Sequence, residues 1–365
     1  MNIKRRKTRT VKIGKVSIGS AHPVAIQSMI KTRIRNVGAS IRQIRELESA
    51  GCEIVRTAVE DESDARAIRS VKKEIRIPLV ADIHFNYRLA LASIEAGADK
   101  IRLNPGNIYR AREVREVLAA AKAACIPIRV GANSGSLRLH RADTAGALVK
   151  SVLNYLKIFE KAGFYQLVIS LKGSNVMDTI AAYRDMAGKC DYPLHVGVTA
   201  TGLPLDGIVK SSVGIGVLLF GGIGDTIRVS LLDRPVQEVL VARSLLNGLG
   251  VRHFGPELVC CPTCGRCEVN LSRKASLVEA WLRDRSAFGR MKDKAKDRFN
   301  SYKIAIMGCV VNGPGEAREA DLGIAFSRHK GILFKKGQII RTVDLQDGEQ
   351  ALLDLLKREL QEGMA

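Results

Sequence analysis

Aromatic side chains and long apolar runs are both scarce in this 365-residue chain. Phe, Trp and Tyr make up 5% of the residues, and they do not interleave with the basic tracts. RNA recognition relies on aromatic side chains that stack on unpaired bases, so this scarcity argues against an RNA-binding protein. The longest apolar stretch, residues 213–223, contains four glycines and is too short to cross a bilayer. The N-terminus lacks the apolar segment of a signal peptide, so we expect a cytoplasmic protein that does not enter the membrane.

Cysteine is also scarce through the first two thirds of the chain, which hold three of the eight. Four others lie within eight residues, at positions 260, 261, 264 and 267, and the last is Cys309. A secreted disulfide scaffold would spread its cysteines through a much smaller chain. In a reducing compartment, such a cluster indicates metal or redox chemistry. No cysteine precedes Cys52, which argues against a radical-SAM enzyme, whose three-cysteine loop would follow the first predicted barrel strand.

Acidic residues are absent from the first fifteen positions, which carry seven basic side chains. The net charge of the chain is +21. A positive potential of this size attracts nucleic acid, acidic membranes, phosphorylated metabolites or acidic proteins. A second basic tract, residues 273–298, also contains Asp and Glu. For both tracts we expect a solvated cationic surface, because such charge runs usually face water.

Residues 24–250 alternate short β-branched runs with helical segments in eight units. The predicted strands are Val24–Ser28, Ile54–Ala58, Leu79–Asp82, Lys100–Leu103, Ile128–Gly131, Gln166–Leu171, Leu194–Val198 and Thr226–Val229. Eight units in about 230 residues predict a (β/α)8 TIM-type barrel. An open doubly wound sheet is the alternative, but residues 28–31 are not the glycine-rich turn that it would show. The pattern changes after Gly250, so we predict a barrel over residues 1–252 and a small α/β domain over residues 253–365.

Active sites of such barrels lie at the carboxyl ends of the strands, where this chain places many polar side chains. These include Arg56, His84, Arg102, Asn104, Arg129, Asn133, Lys172, Arg228 and Ser230, with Lys210 in the segment before the last strand. Each basic residue alone would be an ordinary ion-pair partner. Together, six cations indicate a pocket for a ligand with several negative charges, and we predict a diphosphate. The glycine-rich segments 104–107 and 131–136 would add backbone N–H groups. His84 and His195 would either shuttle protons or orient neighbours.

Two thiols, Cys261 and Cys264, stand in a Cys-Pro-Thr-Cys turn, and Cys309 follows the predicted strand 303–307. Thiolates bind iron–sulfur clusters, but such turns also build structural zinc sites, and Cys267 could complete a four-cysteine zinc set. Spacing alone does not separate these readings. The glycine-rich loop 308–315 favours the cluster, because Glu316 after it could be a labile oxygen ligand at an exchangeable metal position. The alternative is a zinc-stabilised basic barrel that binds RNA.

Five segments resemble signatures of the GcpE/IspG family, the 4-hydroxy-3-methylbut-2-enyl diphosphate synthases of the non-mevalonate isoprenoid pathway. They are residues 80–85 (VADIHF), 101–107 (IRLNPGN), 224–231 (GDTIRVSL), 261–264 (CPTC) and 308–316 (GCVVNGPGE). The resemblance covers nearly the whole chain, and the length is similar to that of the short two-domain bacterial form. It implies that 2-C-methyl-D-erythritol 2,4-cyclodiphosphate is reduced by two electrons to (E)-4-hydroxy-3-methylbut-2-enyl diphosphate.

The resemblance also implies site residues and partners. A [4Fe–4S] cluster would be held by Cys261, Cys264, Cys309 and Glu316, with Cys309 and Glu316 in the catalytic centre. The diphosphate would be bound by Arg56, Arg102, Arg129, Asn133, Lys210, Arg228 and Ser230. A flavodoxin or ferredoxin would donate electrons to a homodimer, in which the cluster domain of one subunit closes the barrel of the other. The chain departs from the family at Ala200, where a glutamate is usual, and in its extra cysteines. We interpret Cys260 as a buried small residue and Cys267 as a surrogate ligand or a bystander.

Overall fold

The computed structural model describes residues 3–136, 143–173, 175–199, 202–283, 299–309, 315 and 317–362. The chain divides into two compact units, Met1–Arg252 and His253–Ala365. The strands of the first unit are β1 (Val11–Ile13), β2 (Val16–Ile18), β3 (Ala25–Met29), β4 (Ile54–Val59), β5 (Leu79–Ile83), β6 (Lys100–Leu103), β7 (Ile128–Asn133), β8 (Leu167–Lys172), β9 (His195–Val196) and β10 (Thr226–Ile227). Its helices are α1 (Val37–Ala50), α2 (Glu62–Glu74), α3 (Tyr87–Glu95), α4 (Ala111–Ala123), α5 (Thr144–Lys161), α6 (Val176–Ala187), α7 (Pro204–Phe220) and α8 (Pro235–Gly248).

Eight parallel strands form the barrel, in the order β8-β7-β6-β5-β4-β3-β10-β9. The ring closes between β8 and β9, because Ile169 forms a parallel bridge with Leu194 and donates its N–H to the carbonyl of Pro193 at 2.9 Å. The predicted TIM-type barrel is therefore confirmed. The last two strands, β9 and β10, have two residues each and are shorter than predicted.

The barrel helices begin and end at residues whose chemistry suits those positions. Asp61 caps α2 by accepting hydrogen bonds from the backbone N–H groups of Ser63 and Asp64 at 2.9 and 3.1 Å. Pro235 opens α8, where a proline is tolerated because a helix leaves its first N–H groups unbonded. At the end of α1, Gly51 adopts φ 99° and donates its N–H to the carbonyl of Glu48, which terminates the helix.

The antiparallel hairpin β1–β2 closes the amino end of the barrel. Its apolar residues Val11, Ile13 and Ile18 form one buried cluster with the first or second residues of four barrel strands, namely Ala25, Ile54, Val80 and Val168. The opposite side of the hairpin is polar, and Lys12 between two buried neighbours is exposed. This hairpin and the first residues of the strands therefore form an apolar layer at the amino end of the barrel, which we call the floor.

Two arginines of the basic N-terminal segment, Arg5 and Arg6, are bound to the barrel and partly buried, so the expectation of a solvated cationic surface was wrong for these two residues. Arg5 pairs with the buried Asp225 at 2.8 Å. Arg6 donates to the carbonyl of Tyr192 at 2.6 Å, and Arg9 lies 4.7 Å over the ring of Tyr192. These contacts join residues roughly two hundred positions apart, which sequence patterns do not reveal.

The second unit is built on a five-stranded mixed sheet. Its elements are β11 (Glu257–Cys260), β12 (Lys303–Met307), β13 (Leu322–Phe326), β14 (Lys330–Lys335), β15 (Gln338–Asp344), α9 (Leu271–Arg283) and a terminal helix, α10 (Gly348–Glu362). The strands lie in sequence order, with β11, β12 and β13 parallel and the last two antiparallel. Both helices pack on one face, where Val278 and Leu352 join Ile304 and Ile306. Among the residues described, none of the helices has the length and hydropathy needed to cross a membrane.

Replacing Ile13 by Ala is expected to destabilise the barrel by about 2–5 kcal/mol, because it removes a fully buried side chain from the floor. Urea unfolding followed by circular dichroism measures the change in the free energy of unfolding. The control is Lys12→Ala, one residue away on the exposed side of β1, which should change stability by less than about 0.5 kcal/mol. Equal effects of the two substitutions would contradict the floor assignment.

Candidate active site in the barrel and candidate metal centre

A buried carboxylate, Asp82 on β5, organises the carboxyl ends of the central strands. Arg56 on β4 approaches it at 3.6 Å, Arg102 on β6 at 3.2 Å, and His84 just after β5 at 3.4 Å. Burial alone would raise the pKa of Asp82, but Arg56, the hydrogen bond from His84 and Arg102 outweigh it and hold this pKa well below its ordinary value. Asp82 is therefore an anion that orients its cationic neighbours and does not act as a proton donor.

Gly131 on β7 makes room for the Arg102 guanidinium. Nη2 of Arg102 donates to the carbonyl of Gly131 at 2.9 Å. A Cβ atom on Gly131 would lie 2.9 Å from Nε of Arg102 and 2.8 Å from Oγ of Ser170. From the sequence, residue 131 was expected to belong to a loop whose N–H groups bind phosphate. In the structure, its carbonyl accepts a hydrogen bond from Arg102, and the absence of a Cβ atom leaves space for the guanidinium. Any larger residue would displace Arg102.

Arg129 on β7 is the most isolated of the barrel cations. Its side chain is 1% exposed, and within the described residues neither Nε nor Nη1 has a hydrogen-bond partner. Its pKa lies well below the ordinary value, first because of burial and then because of repulsion from Arg56 and Arg102. A buried guanidinium with unused donors is costly, so the geometry calls for an anionic ligand at this point.

Two lysines share this interior. Lys172, predicted from the sequence, ends β8 and is 4% exposed. Lys100 is fully buried at the start of β6, where Nζ lies 3.3 Å from Oε1 of Gln27. Burial lowers the pKa of both amines well below 10.5, and neighbouring arginines lower it further. Lys100 was missed as a site residue, although strand alternation places residues 100 and 102 on one face and would have identified it.

The last barrel strand contributes a second charge pair. Arg228, one residue after β10, lies 3.7 Å from Glu238 on α8. Burial and repulsion from Arg56 lower the pKa of Arg228 to about 10, against the attraction of Glu238. Glu238 also accepts from the hydroxyl of Ser28 and the N–H of Leu231, both at 3.1 Å. Sequence reasoning missed Glu238, because it resembles the acidic residues common in the first turn of a helix.

The two histidines occupy different environments. His195 is fully buried on β9, where Nδ1 lies 2.8 Å from Oγ1 of Thr226. Burial, followed by repulsion from Arg129, Lys172 and Lys100, lowers its pKa well below 6.5, so His195 is neutral at physiological pH. This favours the orienting role over proton shuttling for His195. His84 has a half-exposed side chain and faces the carboxylate of Asp82.

The remaining predicted barrel residues lie in several places. Asn104, buried after β6, accepts a hydrogen bond from the N–H of Gly106 at 3.0 Å and so shapes its own loop. Asn133 ends β7, and Ser230 follows β10. Lys210 lies apart from the buried cations, as an exposed residue of α7. Ala200 lies outside the described residues.

The cysteine cluster lies at the carboxyl ends of β11 and β12, which are parallel neighbours. Cys261 directly follows β11, and its sulfur accepts the N–H of Gly308 at 3.2 Å. Cys309 is the next residue after Gly308 on the neighbouring strand end. Backbone N–H groups directed at sulfur are a feature of iron–sulfur sites, so this donor set suits such a cluster. Glu316 and residues 310–314 lie outside the described residues, and among those described no three metal-ligating side chains converge on one point.

The two additional cysteines differ from each other. A Cβ atom on Gly308 would lie 2.6 Å from the sulfur of Cys267 and 3.3 Å from that of Cys261, so both thiols lie beside this glycine. Cys267 therefore belongs to the immediate surroundings of Cys261. Cys260 is exposed, so its interpretation as a buried small residue was wrong. Cys260 ends β11, directly before Cys261. Because successive side chains of a strand point in opposite directions, the side chain of Cys260 points away from that of Cys261.

The geometry defines a class of protein: a β/α-barrel enzyme for a polyanionic substrate, joined to a unit with a cysteine cluster. Two family models match the chain, the GcpE TIM-barrel domain over residues 8–243 and the GcpE protein C-terminal domain over residues 257–358. The chain belongs to the GcpE family.

Two relatives are named 4-hydroxy-3-methylbut-2-en-1-yl diphosphate synthase (flavodoxin). The protein of Lawsonia intracellularis is 48% identical over 370 residues, which is 100% of this chain and 98% of the relative. That of Nitratidesulfovibrio vulgaris is 51% identical over 348 residues, covering 94% of this chain and 87% of the relative. Among solved structures, Yersinia pestis dihydropteroate synthase superimposes with a TM-score of 0.50 at 14% identity, over 67% of this chain and 99% of that one. That similarity concerns the barrel fold alone.

The buried lysines predict an unusual pH dependence of stability. A lysine whose pKa is lowered on folding binds fewer protons in the folded state, so stability rises as the pH increases from the folded-state pKa towards 10.5. Lys100→Met is expected to raise the free energy of unfolding at pH 7 by on the order of 1 kcal/mol and to flatten its rise at alkaline pH. Urea unfolding without phosphate compounds measures both. The exposed Lys122→Met is the control, and destabilisation by Lys100→Met would contradict the assignment.

Proposed function

We propose that this protein catalyses the reductive ring opening and dehydration of 2-C-methyl-D-erythritol 2,4-cyclodiphosphate to (E)-4-hydroxy-3-methylbut-2-enyl diphosphate. The observation that supports it is the excess of buried positive charge in the barrel. Among the described residues, six cations share this interior with two carboxylates: Asp82 pairs with Arg56 and Arg102, Glu238 pairs with Arg228, and Lys100, Arg129 and Lys172 form no ion pair with either. Membership of the GcpE family supports this reaction and not the RNA-binding alternative.

A diphosphate suits this interior in charge and in shape. The unbonded donors of Arg129 and the fork of Arg102 match phosphate oxygens, and the two lysines add point charges. The bound anion would raise the lowered pKa values of these cations, so binding at alkaline pH would be accompanied by proton uptake. Asp82 and Glu238 keep the arginines in place before the substrate arrives, which lowers the reorganisation needed on binding.

The second unit would hold the reducing centre. We propose a [4Fe–4S] cluster on Cys261, Cys264, Cys309 and Glu316, which would supply the two electrons one at a time. With two protons, these electrons break the ring C–O bond to phosphate and release one hydroxyl as water, so that one water leaves for each allylic diphosphate formed. The N–H of Gly308 would donate a hydrogen bond to the sulfur of Cys261 when that sulfur binds the cluster.

The electron donor and the assembly complete the proposal. A flavodoxin or ferredoxin would deliver the electrons, since both are acidic and the net charge of this chain is +21. A homodimer would let the cluster unit of one subunit close the barrel of the other. Large apolar residues on the loops after β5, β9 and β10 support a covered mouth, since Phe85, Leu203 and Leu232 are 76%, 65% and 72% exposed.

Arg129→Met is expected to weaken binding of the cyclodiphosphate by about 10- to 100-fold, because charge-assisted hydrogen bonds are lost while the apolar stem is kept. Anaerobic titration calorimetry of the reconstituted protein measures the dissociation constant, and two buffers of different ionisation enthalpy measure proton uptake. Arg112→Met on the exposed face of α4 is the control and should bind as the unmodified protein does. Unchanged affinity in Arg129→Met would remove the barrel interior as the binding site.

Anaerobic reconstitution of the unmodified protein is expected to yield about four iron and four sulfide per chain. Ser in place of Cys261, Cys264 or Cys309 should prevent stable cluster assembly, whereas Cys125→Ser, at an exposed thiol of the barrel unit, serves as the control. Glu316→Ala should retain the cluster but turn over slowly. Iron content, absorbance and electron paramagnetic resonance measure assembly independently of activity. Stoichiometric zinc without iron would refute the cluster and support the zinc reading.

A further inference from the structure

Two partly buried thiols lie beside the same glycine, Gly308, which directly follows β12. A Cβ atom on this glycine would lie 2.6 Å from the sulfur of Cys267 and 3.3 Å from that of Cys261. Both sulfurs therefore lie within 3.3 Å of one point, and both side chains pack against the apolar core of the second unit. Rotation about the Cα–Cβ bonds is the motion that brings sulfurs placed in this way into bonding distance.

A turn of the chain brings Cys267 to this position. The N–H of Cys267 donates to the carbonyl of Cys264 at 2.9 Å, so residues 264–267 reverse direction and return towards Cys261. The thiol of Cys267 donates to the carbonyl of Val269 at 3.4 Å. A thiol is a weak donor, so this hydrogen bond leaves the sulfur able to react. Cys267 is thus a reduced thiol held beside a proposed cluster ligand, although it is outside the proposed ligand set.

The cysteines nearest to Cys261 along the chain are placed less well to react with it. Cys264 is exposed, whereas Cys261 and Cys267 are both partly buried. Cys260 is also exposed, and its side chain points away from that of Cys261. Disulfide formation depends on which sulfur has access to the target, so these positions favour Cys267 as the partner of Cys261.

Oxidation gives such a partner a use. Peroxide converts a cysteine that has lost its metal to a sulfenic acid, and further peroxide gives a sulfinic acid that thiol reductants do not reverse. A sulfinic acid at Cys261 would remove a cluster ligand permanently. A neighbouring thiol prevents this loss, because it condenses with the sulfenic acid to form a disulfide that thiols can reduce.

We propose that Cys267 is a resolving thiol, which forms a disulfide with Cys261 after peroxide has oxidised that residue. In the first step the thiol of Cys261 and hydrogen peroxide give the sulfenic acid and water, so the sulfur loses two electrons and the peroxide gains them. In the second step the sulfur of Cys267 attacks that of Cys261, and the hydroxyl leaves with the proton of Cys267 as a second water. A dithiol reductant then restores both thiols. The disulfide requires only these two residues, whereas its protective value rests on the proposed cluster.

The test maps disulfides in the full chain, both metal-free and anaerobically reconstituted, after treatment with hydrogen peroxide and alkylation of the remaining thiols. Trypsin cleaves after Arg266, so a Cys261–Cys267 disulfide joins peptides 253–266 and 267–273, whereas a Cys261–Cys264 disulfide stays within the first. Tandem mass spectrometry identifies the linked residues, and we expect Cys261 joined to Cys267 as the main product. A main product that links Cys261 to Cys264 or Cys309, or a sulfinic acid at Cys261, would overturn the proposal.

Cys267→Ser tests the protective role, because it keeps the size of the side chain and removes the thiol. After peroxide, dithiol treatment and a second reconstitution, this variant should recover on the order of threefold less iron than the unmodified protein, with sulfinic acid at Cys261. Cys260→Ser is the matched control and should recover as the unmodified protein does. Equal recovery by Cys267→Ser and the unmodified protein would overturn the role of Cys267.

Two further measurements keep the outcomes distinct. Cys267→Ala retains an apolar side chain beside Gly308 and should behave as Cys267→Ser does, which replaces that variant if it fails to fold. An unmodified protein that binds no iron would contradict the proposed cluster. The disulfide map of the metal-free chain would still decide whether Cys267 is the resolving thiol.

Discussion

The excess of buried positive charge inside the barrel is the constraint on which the rest of the site depends. Folding brings several guanidinium and amino groups out of water, and within the described part of the chain some of their donors have no hydrogen-bond partner. Burying each of these charged groups costs free energy that the neighbouring carboxylates do not offset, as the lowered pKa values of Lys100, Lys172 and Arg129 indicate. The barrel is thus preorganised for a polyanion at the expense of its own stability.

Neighbouring carboxylates and one glycine fix the positions of these mutually repelling cations. Asp82 holds Arg56 and Arg102 from one side, and Glu238 holds Arg228 from the other. Gly131 removes a side chain where the Arg102 guanidinium must lie. The apolar floor formed by the β1–β2 hairpin closes the opposite end of the barrel. The buried cations at the carboxyl ends of the strands therefore lie above an apolar core. Burial of that core stabilises the fold, whereas burial of the cations destabilises it.

Strand periodicity alone predicted the barrel, because each buried parallel strand is a short β-branched run that a helix follows. The same pattern located Arg56, Arg102, Arg129, Lys172 and Arg228, since their positions at strand ends follow from counting along the chain. It did not identify Glu238, whose role depends on how α8 packs against β3 and on its contacts with Arg228 and Leu231 after β10. The exposed Cys260 and the bound Arg5 and Arg6 were mispredicted for a similar reason. Burial at a strand end and contacts between distant segments are properties of the tertiary structure.

The binding of the N-terminal segment has a consequence for how the chain is made. Arg5 and Thr8 both contact Asp225, and Arg6 contacts the carbonyl of Tyr192, which are separations of 220, 217 and 186 residues. During synthesis, residues 5–8 therefore cannot reach their native partners until the segment 192–225 has also been made. Until then their charges remain in water, so this segment joins the barrel only after its last strands have been synthesised.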